Sequence, residues 1–295
     1  MTEWITKIWV AWVKSMGSWT PASRARLARL IGWLFWVLVP KRRHVALTNL
    51  RLCFPQWSED KRIAVAKKCF TNMARAALDH GVLWAGSRED VANFVHFDQG
   101  VIEAITDEQN NRPLIVIAPH FAGLDASGIA LNLYVRGASL YQKQSNPVWD
   151  QAAFEGRKRF SDPILIAKGK HNDLRPVIRA MRDGFPFYYL PDMDHGIRNG
   201  IFVPFFGVPA ATLPMASRLA KLTGAKVMMM MPEMTDTGYQ VHATTIWENF
   251  PTDDYVADTI RVTRELEHWV EKFPDQYMWT HRRFKTRPEG EPSVY

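Results

Sequence analysis

Two titratable side chains five residues apart, His120 and Asp125 in "APHFAGLD" (residues 118–125), are of types that could do proton-transfer chemistry. A neutral imidazole takes a proton from a hydroxyl near pH 7, provided its other ring nitrogen is held in one tautomer. A carboxylate supplies that hold and stabilises the imidazolium that forms. The spacing predicts that Asp125 folds back onto His120 if Phe121-Ala122-Gly123-Leu124 turns from a strand into a helix, with Gly123 allowing backbone angles other residues resist. The start of that helix offers free N–H groups for a developing oxyanion. The same spacing also fits a loop histidine followed by an aspartate that caps the next helix.

Three more stretches bear on the chemistry. In "FEGRKRF" (154–160), Arg157 could bind a phosphate or a thioester oxygen, or share a solvated helix face with Lys158 and Arg159. Asp192, in "YYLPDMDHG", could orient Arg157 or an acceptor, or simply form a turn. "FVPFFGVPAATL" (202–213) reads as an apolar wall for an alkyl chain or as a packed loop. No G-x-S-x-G elbow, H-E-x-x-H pair or glycine-rich phosphate loop is present. A base without a protein nucleophile points to transfer onto a substrate hydroxyl rather than hydrolysis through a covalent intermediate.

The elements that must position these residues follow from hydrophobic patterning. Candidate strands are 94–97, 114–118, 139–141, 164–166, 187–190, 226–231 (inside "MMMMPE", a buried strand with no function) and 239–244. Candidate helices are 58–80 with Ser58 as its cap, 124–134, 148–160, 172–182, 212–222 and 253–272. Strand–helix alternation predicts an α/β fold with a largely parallel sheet flanked by helices. Ligand sites in such sheets gather beyond the carboxyl ends of strands, where His120, Asp192 and Asp194 fall. Gly184, Gly196 and Gly200 supply turns there.

Charge is uneven. Of a net +7 over 295 residues, residues 1–52 carry nine basic side chains and one acidic. Outside that stretch the sum is close to zero, which argues against a nucleic-acid partner. The same segment holds the apolar run "LIGWLFWVLVP" (30–40), too short at about 16 Å of helix to cross a bilayer. Ile5, Ile8, Trp9 and Trp12 form a helical stripe suited to a membrane interface. Lys41, Arg42, Arg43 and Arg24, Arg26, Arg29 flank the apolar run, as anionic lipid would favour. Residues 1–52 are read as a membrane-associated helical segment without a full span, and 53–295 as the α/β domain; two core helices with a solvated basic face are the alternative. Cys53 and Cys69 read as apolar fillers in a reducing compartment.

Taken in order, "APHFAGLD", "FEGRKRF", "YLPDMDHGIRNGIFVPFFGVPAATL" and "QYMWTHRRFKTRPEG" resemble the late acyltransferases of lipid A biosynthesis, the lauroyl/myristoyl transferase family of Gram-negative inner membranes. That family belongs to the wider glycerolipid acyltransferase group with an H-x4-D/E motif, and the resemblance runs along nearly the whole chain. It implies transfer of a fatty acyl chain from acyl carrier protein to a hydroxyl of a Kdo-bearing lipid A precursor, at the cytoplasmic face of the inner membrane, with no metal or organic cofactor. It implies His120 as general base, Asp125 as its acidic partner, and Arg157 and Asp192 as further charged residues of the site. Many members carry Glu where Asp125 stands, which leaves a lysophospholipid or another lipid as the alternative acceptor.

Overall fold

Ile115 and Ile117 alternate with Leu114 and Val116 in a strand whose four side chains are all buried. A strand covered on both faces belongs inside a sheet with helices on each side. The computed structural model, which describes residues 3–107, 113–167, 173–198 and 200–295, has this arrangement. In chain order its elements are α1 (Glu3–Ser15), α2 (Pro21–Leu38), α3 (Pro40–Cys53), α4 (Glu59–Ala85), α5 (Arg88–Phe94), β1 (Val95–Phe97), α6 (Val101–Thr106) and β2 (Leu114–Ile117). There follow α7 (Leu124–Leu131), β3 (Ala138–Tyr141), α8 (Pro147–Lys158), β4 (Ile164–Ala167), α9 (Arg175–Arg182), β5 (Phe187–Tyr189), β6 (Ile201–Phe205) and β7 (Val208–Thr212). The chain closes with α10 (Met215–Thr223), β8 (Lys226–Met234), β9 (Tyr239–Ala243) and α11 (Tyr255–Lys272).

The main sheet has the order β1-β9-β8-β2-β5-β3-β4. From β8 to β4 every pairing is parallel, while β9 runs antiparallel to β8 and carries β1 parallel to itself. The expected largely parallel sheet is therefore present. The methionine run is a buried strand, and its alternation splits it between two cores: Met229 and Met231 face one side with Ile115, Ile117, Val177 and Val262, and Met228 and Met230 face the other with Val116, Ile129 and Ala130. Ser58 caps α4 through the Lys61 amide. The expected start of a helix at Asn172 lies outside the described residues, and α9 is helical from Arg175. Cys53 and Cys69 are free and buried.

Residues 201–212 differ from both readings offered above, because they form a hairpin. Phe206 and Gly207 at its tip have φ of 52° and 76°, the pair of left-handed residues a tight two-residue turn requires. Pro204 and Pro209 oppose one another across the ribbon, which forms a separate two-stranded sheet where missing amide donors are tolerated. Phe205 packs inward against Tyr277 and Phe284.

At the N-terminus, α1 and α2 pack on α4 through narrow faces. A Cβ on Gly32 would lie 2.7 Å from the Thr71 Cα, so α2 and α4 cross closely. Arg24 departs from its expected place in the surface cluster. It is buried, with Nε 2.8 Å from Asp79 Oδ1, and Asp79 also accepts from the Tyr239 hydroxyl at 2.9 Å. A charge this deep is kept by its partners and ties α2 to α4 and the sheet. The outward faces are apolar: Trp4, Ile5, Ile8 and Trp9 on α1, and Leu30, Trp33, Phe35 and Leu38 on α2. Among the described residues, no helix is long and apolar enough to cross a membrane.

Candidate active site

β2 and β5 are neighbours, with Ile117 in register with Tyr189 and the Ala118 amide donating to the Tyr189 carbonyl at 2.8 Å. Three residues beyond those partners the chains carry His120 and Asp192. Parallel strands in register deliver equivalent positions side by side, and these two meet. The Asp192 Oδ2 accepts from the His120 amide at 2.9 Å, and its Oδ1 lies 2.7 Å from His120 Nδ1. With Nδ1 donating, Nε2 is the unprotonated nitrogen available to a substrate. Burial alone would raise the Asp192 carboxyl, but the His120 ring and its two N–H groups outweigh it and hold the carboxyl below its ordinary value.

Asp125 does not fold back onto His120. It sits in the first turn of α7, where its Oδ1 accepts from Arg157 Nε at 3.1 Å and Nη2 at 2.8 Å, and its Oδ2 lies 3.2 Å from His80 Nε2. Burial would raise this carboxyl too. The Arg157 charge and the His80 contact prevail, and Asp125 is held well below the usual carboxylate range. All four expected residues thus converge, but in other pairs: His120 with Asp192, and Asp125 with Arg157. Gly123 has an ordinary φ of −83°, so conformational freedom is not its reason. A Cβ there would lie 2.7 Å from the Tyr239 ring and 2.9 Å from Pro232. Close approach of α7 to the sheet requires the glycine.

The C-terminal motif holds this site from the other side. Phe121 and Tyr277 form an antiparallel bridge, flanked by Met278 N–H to the His120 carbonyl at 3.0 Å and Ala122 N–H to the Gln276 carbonyl at 2.8 Å. Burial, with the Asp192 carboxylate nearby, raises the pKa of the Tyr277 hydroxyl. Asp194 organises the loop after β5 by accepting from the Gly196 and Thr286 amides at 2.8 and 2.7 Å. His281 Nε2 accepts from the Asp194 amide at 3.1 Å, and burial pushes its pKa down to about 4, against the pull of Asp192.

His120, Asp125 and Arg157 line a cavity of about 830 Å³ whose walls include Leu140, Leu165, Phe187, Met193, Met215 and Met278. Of the 202–213 stretch only Leu213 reaches it. A side chamber of about 190 Å³ opens against Asp125 and Arg157 between Trp84, Trp149 and Phe154. Among the described residues, no group of His, Cys, Asp and Glu is placed to hold a metal ion. Sequence reasoning missed His80, Tyr188 and Tyr277. Tyr188 lines the cavity with its hydroxyl 2.8 Å from Ser127 Oγ, and burial raises its pKa. The only signal for these residues was three-dimensional, since each reaches the site from a distant part of the chain.

An oriented imidazole over a mainly apolar cavity, on an α/β sheet, is equipment for general-base chemistry on a substrate with apolar parts, the kind of step acyl transfer to a hydroxyl needs. The comparisons with known proteins agree. Residues 1–286 match the model of the family described as bacterial lipid A biosynthesis acyltransferase. The chain is 31% identical over 274 residues to the lipid A biosynthesis lauroyltransferase of Escherichia coli (strain K12), covering 92% of this chain and 88% of that one. It is 33% identical over 278 residues to the myristoyltransferase of the same organism, covering 92% and 82%. With its palmitoleoyltransferase it shares 30% over 273 residues, covering 91% and 87%. The protein belongs to the bacterial lipid A biosynthesis acyltransferase family and is an acyltransferase.

Proposed function

We propose that this enzyme transfers a fatty acyl chain from acyl carrier protein to a hydroxyl of a Kdo-bearing lipid A precursor at the cytoplasmic face of the inner membrane. The observation that carries the mechanism is the His120–Asp192 pair facing the apolar cavity. His120 Nε2 takes the acceptor's hydroxyl proton as its oxygen attacks the thioester carbonyl carbon. Asp192 stabilises the imidazolium through the Nδ1–H bond. The tetrahedral oxyanion is met by backbone amides at the start of α7 and by the Arg157 guanidinium, which Asp125 anchors. Collapse breaks the C–S bond, and the departing thiolate takes its proton from His120. Relatives named for lauroyl, myristoyl and palmitoleoyl groups support a fatty acyl donor. The exposed Trp and Leu side chains of α1 and α2, beside Arg26, Arg29 and Lys41, support membrane association without a span.

The test offers detergent-solubilised enzyme several acyl carrier protein thioesters, together with the Kdo-bearing tetra-acyl precursor and a lysophospholipid. Mass spectrometry identifies what gains an acyl group. Acylated precursor, lost in His120→Ala by roughly 10²–10⁴-fold, is the expected result. Acylated lysophospholipid alone would move the enzyme to another acceptor, and full activity in His120→Ala would remove the base.

A further inference from the structure

His80 has no part in the reaction as outlined, yet it lines both the main cavity and the side chamber. Its Nδ1 is 2.8 Å from the Ala76 carbonyl one turn back along α4, and its Nε2 is 3.2 Å from Asp125 Oδ2. A carbonyl oxygen only accepts, and so does an ionised carboxylate. Asp125 is ionised, because its other oxygen takes two N–H bonds from Arg157. The ring nitrogen that faces Asp125 is therefore a donor, an N–H directed at the carboxylate.

The ring is held from a third side. Trp84, one turn further along α4, lies edge-on to it with centroids 4.6 Å apart. Trp84 in turn sits against α8 so closely that a Cβ on Gly156 would fall 2.2 Å from its indole. Gly156 immediately precedes Arg157. One face of α4 therefore fixes the free oxygen of Asp125 with His80 and the backbone at Arg157 with Trp84.

We infer that His80 is a positioning residue for acyl transfer: through its Nε2 donor it holds Asp125, and through it Arg157, in place beside His120. This rests on the function proposed above. The charged and titratable groups around His80 are Asp125 from α7, Arg157 and Asp150 from α8, and Tyr141 from β3, with Tyr188 of β5 behind Asp125. None of these but Asp125 bonds the ring. Without the Nε2 donor of His80, the second oxygen of Asp125 loses its bond to α4 and the carboxylate is held by Arg157 alone.

The experiment compares His80→Ala, His80→Gln, Asp125→Asn and the His80→Ala/Asp125→Asn double variant. His80→Ala should lower kcat by about tenfold or more with KM within about twofold, the pattern of misplaced catalytic groups. His80→Gln, whose side-chain amide can donate to Asp125, should recover most of kcat. The double variant should be no worse than Asp125→Asn, since His80 acts through that carboxylate. Wild-type kcat in His80→Ala, or additive losses in the double variant, would overturn the assignment. An arm independent of turnover is ¹⁵N NMR of histidine-labelled enzyme. The His80 Nε2 should carry a proton bonded to Asp125 in the wild type, and its signal should shift in Asp125→Asn. A wild-type ring with no proton on Nε2 overturns the inference. Absence of acyl transfer with the Nε2–Asp125 bond present would instead sink the proposed function.

Discussion

Asp192 spends both carboxylate oxygens on one residue, the amide and the Nδ1 of His120, and is almost completely buried while doing so. Asn at this position would present an amide in place of one acceptor and leave the imidazole tautomer undefined. Asp192→Asn should lower kcat by roughly 10²–10⁴-fold with KM little changed, as single-turnover kinetics would register. His281 gives a stability prediction. Burial lowers its pKa from 6.5 to about 4, so the folded protein keeps it neutral where the unfolded chain protonates it. Between those values the unfolded state binds more protons, and stability declines as pH falls from 6.5 through about 4. His281→Gln keeps an acceptor for the Asp194 amide without the titration. Its Tm should change less than the wild type's over that window in a calorimetric series, and equal slopes would exclude His281 as the source.

At the scale of elements, the site is built where α7, α8 and α4 meet the ends of β2 and β5. The tightest joint is the start of α7. Gly123→Ala would press a methyl against Tyr239, which is buried and fixed by its own bond to Asp79 and so cannot yield. Overpacking of this kind costs about 1–3 kcal/mol. Because Asp125 lies two residues on, kcat should fall with the urea midpoint, and a variant stable and active as wild type would show that α7 has room. Most elements were readable: the seven strands of the main sheet and the longer helices follow apolar runs and caps, while the short α5 and α6 were not expected. The β6–β7 hairpin was not, because its prolines mask the strand pattern while its turn residues, Phe206-Gly207, give only half of the usual signal.

For the whole molecule, α1 and α2 expose large apolar side chains, and the function proposed above assigns that surface to the membrane. Replacing Trp33 and Leu38 by Ser, or Arg26, Arg29 and Lys41 by Ser, should weaken binding to anionic phosphatidylglycerol vesicles while leaving Tm unchanged, since these side chains are exposed. Each basic residue near the surface contributes about 1 kcal/mol, so the triple basic change should reduce partitioning by roughly two orders of magnitude at low salt. Arg24→Ala should behave differently. It leaves Asp79 with its closest cation removed in the interior, and should destabilise by about 3–5 kcal/mol without a specific effect on vesicle binding. Equal retention of all variants on vesicles would place the membrane contact elsewhere.

The sequence by itself determined which residues could do the chemistry and which end of the sheet they occupy. Side-chain type is local, and a strand that stops before His120 or Asp192 must deliver it past its carboxyl end. It also determined the mixture of strands and helices, because burial alternates with a period that the chain displays directly. Only the tertiary structure decided who pairs with whom. Asp125 is five residues from His120 along the chain, whereas Asp192 reaches it through the register of β2 against β5. Lateral strand order depends on how long crossovers pack, and no spacing encodes that. The same reason hid His80, which arrives from α4, and Tyr277, which arrives from the C-terminal segment. Likewise Arg24 has the composition of a lipid-facing residue, and only the approach of Asp79 turned it inward.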